Sequence, residues 1–398
     1  MMTLNARVEA KLEEIAQTLL EAESFDRGIA LTGGRSGVLL FLFLYSRYKV
    51  DQKYEDKAVV LLKESLQMIN SGQTSMNFSS GVSGFAWVLE HLAEQDIIEP
   101  LDLLYPLDEK IGQLMVGYFN ADNWDALHGG IGVSLYLFKR VSNPKVKAQL
   151  EEAIQILHSK AIETEDTMKW ITYNSYMKTY CYNFGLAHGM PSILYFLTKC
   201  IEHGIEKELS QTMLKKCTAY LLKYKVEDDK HPNCFPSSVE KSGEVNTYSR
   251  LAWCYGDPGV VLALIKANEV LQGLDGTIKA TIESIIKRQE IDVTGVADAG
   301  ICHGSAGLLH ILQYLNSIGY QDIISDELVD QWVEETLNWS QFQDGLAGYR
   351  VNEGVDENKK PLYKSVSYGM LDGIAGIGLC FLSYLNKNNK WNAALFMS

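Results

Sequence analysis

Three residues in the second half of the chain, Cys254, Cys302 and His303, have side chains that suit a zinc ion. Two thiolates and one imidazole are preferred zinc ligands, and three protein ligands leave the fourth tetrahedral position open. An open position is typical of a catalytic site, because a purely structural site is closed by a fourth residue. Zinc strongly favours the deprotonated form of a thiol that enters such a position. We therefore predict one catalytic zinc ion per chain.

The adjacency of Cys302 and His303 limits how these two residues can act. Neighbouring residues on a regular helix point about 100° apart. They can share one ion only where a loop meets a helix, and the glycine that follows them, Gly304, permits such a junction. A nucleophilic Cys–His pair is a weaker alternative, because adjacency spoils the hydrogen-bond geometry that it needs. Another alternative is that the three residues are buried beside glycines for packing alone and bind no metal.

Four other residues are candidates for proton transfer or charge stabilisation. His188 suits a general acid or base, because imidazole titrates near neutral pH, but it also suits a hydrogen-bonded core histidine. Asp125 suits a residue that orients a histidine, a proton acceptor or a helix N-cap. Arg250 and Tyr255 suit either stabilisation of a developing negative charge or support of neighbouring residues. His128 lies in the same kind of position, and no role is assigned to it.

These residues share a position in a repeat that runs through the chain. Each copy has a short polar or turn-forming stretch, a G-x-x-G pattern and a run of apolar residues at helical spacing. The basic period is about 48 residues, and three intervals carry insertions. Ser192 replaces the second glycine of the fourth copy, which we expect to affect packing more than chemistry. The first glycines are Gly34, Gly81, Gly129, Gly189, Gly256, Gly304 and Gly373.

A repeat of this length corresponds to a pair of helices. The glycine-led helices are apolar nearly all round, which is typical of buried helices, whereas the segments between them are amphipathic and belong outside. The predicted fold is therefore all-α, an α/α toroid with a double ring of helices and seven glycine-led inner helices. An open helical solenoid is the alternative, but its concave helices would have a wetted face. Parallel inner helices place their N-termini, and hence the candidate residues, at one end of the toroid.

Composition argues against several classes of function. The 398 residues carry a formal charge of −14, from 36 basic and 50 acidic residues, and no basic cluster stands out, so nucleic acid is not an expected partner. No run approaches about 18 apolar residues, so no transmembrane segment is expected. The N-terminal segment lacks a signal-peptide pattern, and the seven scattered cysteines do not indicate disulfides. The expected location is the cytoplasm, with peripheral association to a membrane-associated biosynthetic complex as a further option.

At the candidate residues the sequence resembles the lanthionine synthetase C-like family. The resemblance covers the whole chain and rests on RLAWCYGDPG, GICHGSAG and GMLDGIAGIGL in this order. WCYG followed about fifty residues later by CHGxAG is a specific signature. The resemblance implies an α/α toroid with one zinc ion, held by Cys254, Cys302 and His303. It also implies four active-site residues at matching motifs: Asp125 in WDALHG, His188 in AHGMP, and Arg250 and Tyr255 in RLAWCYG.

The implied activity is that of a lanthionine synthetase in lantibiotic biosynthesis. A cysteine thiol of a dehydrated precursor peptide adds to dehydroalanine or dehydrobutyrine and closes a lanthionine or methyllanthionine ring. The enolate that forms needs charge stabilisation and then a proton, for which His188 is the first choice and Asp125 its orienting partner or the base that receives the thiol proton. Nothing that resembles a dehydratase precedes the repeat. The expected partners are the precursor peptide with its leader, a separate dehydratase and a peptide transporter.

Three rival functions stay open at this point. The first is addition of glutathione to dehydroamino acids in proteins, which is also thiol chemistry. The second is a zinc-dependent prenyltransferase subunit, which needs a basic diphosphate pocket that the sequence does not suggest. The third is a zinc-binding peptide scaffold without catalysis.

We expect a single domain over residues 1–398. Polar insertions near residues 223–249 and 339–366 are predicted to form irregular or strand-containing loops at the rim of the toroid. Their position makes them candidates for binding the peptide leader.

Overall fold

The computed structural model describes residues 2–25, 27–72, 74–100, 104–174, 178–226, 232–288, 291–358 and 360–398. Within these ranges the chain is mostly helical, and none of its helices has the length and apolar character needed to cross a membrane. The helices are α1 Leu4–Glu21, α2 Arg35–Lys49, α3 Gln52–Asn70, α4 Val82–Ala93, α5 Tyr105–Asn120, α6 Gly130–Lys139, α7 Pro144–Ser159, α8 Met190–Glu202, α9 Lys207–Lys223, α10 Asp257–Leu271, α11 Asp275–Lys287, α12 Ile291–Thr294, α13 Ser305–Ser317, α14 Asp326–Asn338 and α15 Ile374–Asn386. A 3₁₀-helix, Lys390–Leu395, follows.

The chain forms two compact units. The first contains residues 1–99 and 295–390, and the second contains residues 100–294 and 391–398. In the first unit α2 packs on α3, α13 on α14 and α15 on α1. In the second unit α5 packs on α6 and α7, α8 on α9, and α10 on α8 and α11. The expectation of one domain over residues 1–398 stays a prediction.

Seven helices begin directly after the predicted first glycines, which are their N-caps. Residues 36–46 of α2 and residues 82–89 of α4 are all buried, whereas α1 and α3 bury only one side. This alternation of apolar and amphipathic helices follows the predicted pattern. The seven glycine-led helices are α2, α4, α6, α8, α10, α13 and α15.

The six residues before each first glycine form a compact turn, which we call the junction loop. In the loop before α4, the backbone N–H of Val82 donates to the carbonyl of Ser75 at 2.9 Å. The same bond recurs before α13, from Ser305 to Asp298 at 2.9 Å. Because the loop folds back this closely, a side chain on its glycine would collide with backbone: a Cβ on Gly34 would lie 2.6 Å from the carbonyl oxygen of Gly28. Close approach therefore explains the first glycine of the repeat.

Backbone hydrogen bonds also connect successive junction loops within each unit. In the second unit Ala126 N–H donates to Ala187 O at 3.1 Å, and Ala187 N–H donates to Cys254 O at 3.3 Å. In the first unit the N–H of Cys302 donates to the carbonyl of Leu371 at 3.0 Å. Residues just ahead of different first glycines are thereby held side by side, although they are far apart in sequence.

Two small antiparallel sheets lie in the second unit. The first pairs β1 with β2, and the second has the order β3-β4-β5-β6. β5 and β6 lie in the insertion predicted near 223–249, of which residues 227–231 are outside the described ranges. β3 and β4 come from a segment that the sequence analysis did not single out, because strands this short leave little alternation to read. The strands are β1 Ile162–Glu163, β2 Met168–Lys169, β3 Thr172–Asn174, β4 Thr179–Asn183, β5 Ser238–Glu240 and β6 Val245–Asn246.

The insertion predicted near 339–366 has no named strand among its described residues, and residue 359 is outside them. Isolated antiparallel bridges join Val351 to Ser365 and Val355 to Pro361. Its Tyr363 hydroxyl donates to the carbonyl of Ala297 at 2.9 Å. The insertion is therefore fastened to the residue that precedes the junction loop before α13.

A buried ion pair holds the start of α10. The guanidinium of Arg288 donates to the carboxylate of Asp257 at 2.5 Å, and both side chains are almost fully buried. Asp257 also accepts the backbone N–H groups of Cys234 and Phe235 at 2.9 and 3.0 Å. Burial raises the pKa of Asp257, while the charge of Arg288 acts against this. Since a buried charge without its partner is costly, this pair fixes the junction before α10.

Candidate active site

The three predicted zinc ligands form a group. Among the described residues, Sγ of Cys254, Sγ of Cys302 and a ring nitrogen of His303 all lie within 4.8 Å of one another. Ligand atoms around a tetrahedral zinc ion, at bond lengths of about 2.0 to 2.3 Å, are roughly 3.4 to 3.8 Å apart. The donor set of two thiols and one imidazole therefore fits a zinc ion.

Position in the junction loop explains why these residues can converge. Cys254 and Cys302 each stand two residues before a first glycine, where the backbone is bonded to a neighbouring loop. His303 stands one residue before Gly304, so it is outside the regular helix. Cys254 is buried, whereas Cys302 and His303 are partly exposed, which leaves this side of the group accessible.

A buried carboxylate lies beside His303. Asp298 Oδ2 is 3.9 Å from Nε2 of His303, and the Asp298 side chain is 3% exposed. Its Oδ1 accepts the N–H of Gly300 at 2.9 Å, and its Oδ2 accepts the N–H of Asn352 at 3.0 Å. Sequence reasoning missed Asp298. The signal was its place six residues before a first glycine, where four of the other six loops have serine or asparagine.

Asp125 and His188 form a hydrogen-bonded pair in the second unit. Oδ2 of Asp125 is 2.6 Å from Nδ1 of His188. Oδ1 of Asp125 accepts the backbone N–H groups of Leu127 and His128 at 2.8 Å, so one carboxylate both shapes its junction loop and contacts the histidine. Asp125 thus contacts the histidine that it was expected to orient, whereas the N-cap of α6 is Gly129 and not Asp125.

The pair shifts the pKa values of both members. Burial lowers the pKa of His188, but the hydrogen bond and the charge of Asp125 outweigh it, so the pKa is raised above 6.5. Burial raises the pKa of Asp125, yet the same contact with His188 and the two backbone N–H groups bring it below 3.8. The charged forms of both side chains are thus favoured together.

Tyr255 lies next to this pair. The centroids of its ring and that of His188 are 5.7 Å apart, and Asn183 Nδ2 donates to the Tyr255 hydroxyl at 2.9 Å. Burial raises the pKa of Tyr255 to about 12, against a smaller lowering by Asn183, so the phenol stays a hydrogen-bond donor at neutral pH. Asn183 is a second residue that sequence reasoning missed. Its Oδ1 also accepts the N–H of Gly185 at 2.7 Å.

Arg250 occupies the start of the junction loop before α10, and it is not brought into the hydrogen-bonded cluster. The residue is half-buried, and no hydrogen bond or ion pair joins its guanidinium to another described residue. His128 is exposed, and its ring centroid is 6.4 Å from that of His188. The cluster in the second unit therefore consists of Asp125, His188 and Tyr255, beside Cys254.

A cleft of about 300 Å³ opens beside the Asp125–His188 pair. One wall is the stretch from Ala121 to Asp125, and the other includes Thr172 and two exposed tyrosines, Tyr173 and Tyr180. These tyrosines are cross-strand partners in β3 and β4, with ring centroids 5.2 Å apart and exposures of 55% and 53%. Exposed aromatic pairs are typical of surfaces that contact a ligand or partner.

Comparison with known proteins assigns the chain to a family. The family model described as lanthionine synthetase C-like protein matches residues 27–396. The chain belongs to this family. The match confirms the resemblance that the motifs around Cys254 and Cys302 predicted.

Individual relatives of this lanthionine synthetase C-like protein cover nearly its full length. The nisin biosynthesis protein NisC of Lactococcus lactis subsp. lactis is 24% identical over 410 residues, covering 96% of this chain and 92% of that protein. A solved structure of nisin cyclase matches with a TM-score of 0.69 at 21% identity, covering 98% and 96% of the two chains. The structural match confirms the predicted fold class, the α/α toroid.

Proposed function

We propose that this lanthionine synthetase C-like protein is a zinc-dependent peptide cyclase. It adds a cysteine thiol of a dehydrated precursor peptide to the β-carbon of a dehydroalanine or dehydrobutyrine in the same peptide. The S–H bond and the C=C π bond break, a C–S bond forms at the β-carbon, and the α-carbon takes up a proton, so the composition of the peptide is unchanged. The observation that carries the proposal is the Cys254, Cys302 and His303 group together with the Asp125–His188 pair.

The metal part of the proposal rests on the donor set. Two cysteines and one histidine are typical of a catalytic zinc site with one open position. When bound there, zinc lowers the pKa of an entering substrate thiol and so supplies a thiolate at neutral pH. The partial exposure of Cys302 and His303 supports access for a peptide from that side.

The proton part of the proposal assigns His188 as the general acid. Its Nδ1 faces Asp125, which leaves Nε2 for the substrate. The raised pKa keeps the imidazolium form present near neutral pH, as a proton donor to the α-carbon requires. Asp125 holds the ring in this orientation, in the way that a carboxylate orients a catalytic histidine elsewhere.

Tyr255 and Arg250 are assigned to the enolate. The Tyr255 hydroxyl, held by Asn183 and protonated at neutral pH, can donate a hydrogen bond to the developing oxyanion. Arg250 has a guanidinium without a described partner, so it is available to a substrate carbonyl. The cleft between Asp125 and Tyr180 holds the segment of the peptide next to the dehydroamino acid.

The substrate is produced by another enzyme. A dehydrated peptide requires prior loss of water from serine or threonine, and the proposed partners are a separate dehydratase, the leader of the precursor and a peptide transporter. The relative from Lactococcus lactis is described as a nisin biosynthesis protein, which supports peptide modification as the setting.

The test uses the purified full chain and a dehydrated peptide with one cysteine and one dehydroalanine. Ring closure removes the free thiol without a change in mass, so alkylation of thiols followed by mass spectrometry measures it. We expect cyclisation that stops on treatment with a chelator and returns on addition of zinc. A parallel reaction with glutathione and a cysteine-free dehydrated peptide tests the rival addition. Glutathione adducts without cyclisation, or binding of the peptide without any loss of thiol, would each refute the proposal.

A further inference from the structure

Asp298 has more contacts than its place in the repeat requires. Residues six positions before a first glycine cap the turn of their junction loop: Ser75 accepts the N–H of Asn77 at 3.4 Å, and Ser367 accepts the N–H of Gly369 at 3.2 Å. A hydroxyl is therefore enough for the turn. Asp298 makes the same bond to Gly300 with Oδ1, and its second oxygen remains for other partners.

The second oxygen of Asp298 faces two groups that do not take part in the hydrogen bond that caps the turn. It accepts the backbone N–H of Asn352, in the insertion after α14, at 3.0 Å. It also lies 3.9 Å from Nε2 of His303. A buried carboxylate is costly unless its contacts offset the loss of hydration, and a serine at this position would avoid that cost. The second carboxylate oxygen therefore distinguishes Asp298 from the serines at the same position in other loops, and its contacts are with Asn352 and His303.

We propose that Asp298 positions His303 as a zinc ligand and couples the insertion of residues 339–366 to the metal centre. A modest rotation of the imidazole closes the 3.9 Å gap to a hydrogen bond from Nε2–H to Oδ2. This bond would fix the tautomer in which Nδ1 is unprotonated, and Nδ1 would then be the atom that holds the ion. It also raises the basicity of the ring, as carboxylate partners of metal-bound histidines generally do. The inference rests on the zinc ligand set of the proposed function.

The coupling to the insertion follows from the shared oxygen. Oδ2 accepts from Asn352 and faces His303 at the same time, so a displacement of the insertion moves the carboxylate relative to the imidazole. Tyr363 fastens the same insertion to Ala297, next to Asp298. A peptide that binds the insertion can in this way alter the geometry of a metal ligand that it does not touch.

The decisive experiment measures zinc affinity in the full chain by competition with a chromophoric chelator. Asp298→Asn retains an acceptor for Gly300 but presents an amide to Nε2, which favours the wrong tautomer. Asp298→Ser keeps only the turn, as in the sister loops of Ser75 and Ser367. We expect both variants to bind zinc about 10- to 100-fold more weakly. The absorption bands of the cobalt-substituted protein should shift in both, because the imidazole is reoriented.

Ser367→Ala is the matched control, because it removes the equivalent turn bond in the loop before α15. We expect its zinc affinity to equal that of the wild type. Tyr363→Phe tests the coupling: loss of this tether should weaken zinc binding by a few-fold. If the wild type binds zinc and both Asp298 variants bind it with an affinity within about twofold of the wild type, the role of Asp298 is refuted. The zinc ligand set of the proposed function would then still stand. A wild type without stoichiometric zinc would instead refute the ligand set, and the inference with it.

Discussion

The junction loops before α4 and α13 share the same backbone hydrogen bond, but only the second carries side chains of the kind that bind zinc. Val82 donates to Ser75 and Ser305 donates to Asp298, each at 2.9 Å. The second glycine of each repeat, Gly84 or Gly307, lies directly against a loop carbonyl. In the two positions before the first glycine, however, the first loop has Ser79 and Ser80, whereas the second has Cys302 and His303.

This difference separates the scaffold from the chemistry. The two glycines and the capping residue determine the turn, because the backbone approaches itself too closely for larger residues. The last two positions of the loop are free to vary, since their side chains are not needed to close it. Five of the seven candidate site residues occupy these last two positions, whereas Asp125 and Arg250 lie earlier in their loops. The five are His188, Cys254, Tyr255, Cys302 and His303.

The largest expected effect comes from removing a ligand at one of these variable positions. Cys302→Ala should abolish stoichiometric zinc binding and lower the rate of cyclisation by about 1000-fold or more, because thiol activation is lost. Ser79→Ala, at the equivalent position before α4, should leave both unchanged. Metal analysis and the thiol-alkylation assay measure the two quantities. Full zinc content in Cys302→Ala would show that the cysteines only pack beside glycines.

In the junction loop before α6, the carboxylate of Asp125 both accepts backbone N–H groups of the turn and contacts His188. Asp125→Asn retains acceptors for Leu127 and His128 but removes the charge beside His188. Burial then dominates and the pKa of His188 falls, so the alkaline limb of the pH–rate profile should move to lower pH. At neutral pH we expect a loss of about 100-fold in rate. An unshifted alkaline limb would exclude His188 as the acid.

The Asp125–His188 pair also makes the free energy of unfolding depend on pH. The folded-state pKa of His188 is raised above 6.5, so its contribution is present below pH 6.5 and is lost as the pH rises through the raised value. The pKa of Asp125 is lowered below 3.8, so its contribution is present above pH 3.8 and is lost as the pH falls through the lowered value. Thermal unfolding of wild type and Asp125→Asn should therefore differ most between these limits.

Much of the fold could be predicted from the sequence because one physical constraint repeats. Each first glycine is the N-cap of an apolar helix, and the all-round apolar character of α2 or α15 has no explanation except burial. The strands β3 and β4 were missed, because three to five residues are too few for a period-2 pattern to predict a strand.

The candidate site was predictable only where function requires an unusual residue. Cys254, Cys302 and His303 stand out because cysteine and histidine are rare, and all three lie one or two residues before a first glycine. Asp298 and Asn183 were missed because aspartate and asparagine are ordinary turn residues, and a turn explains them fully until the second oxygen or the amide is traced. A supporting contact depends on side-chain direction, which spacing alone does not encode.

Replacing the second glycine of a repeat by alanine tests whether close backbone approach at the junction loop requires glycine. Gly84→Ala and Gly307→Ala each place a methyl group against a backbone carbonyl oxygen, that of Phe78 or Ile301. We expect both to lower the free energy of unfolding by about 1–3 kcal/mol, regardless of which loop carries chemistry. Gly117→Ala is the control, since nothing lies within 4 Å of its new Cβ and alanine favours the helix, so stability should rise by about 0.5–1 kcal/mol. Chemical denaturation measures all three.

The smallest effect is expected at the one repeat that departs from the pattern. Ser192 stands where the second glycine falls in α8, and its hydroxyl donates to the carbonyl of Gly189 at 2.8 Å inside the protein. Ser192→Gly removes this hydrogen bond and adds backbone freedom to the unfolded chain. We expect a loss of about 1 kcal/mol in unfolding free energy and no change in cyclisation. A gain in stability would mean instead that serine is strained here and that every junction prefers glycine.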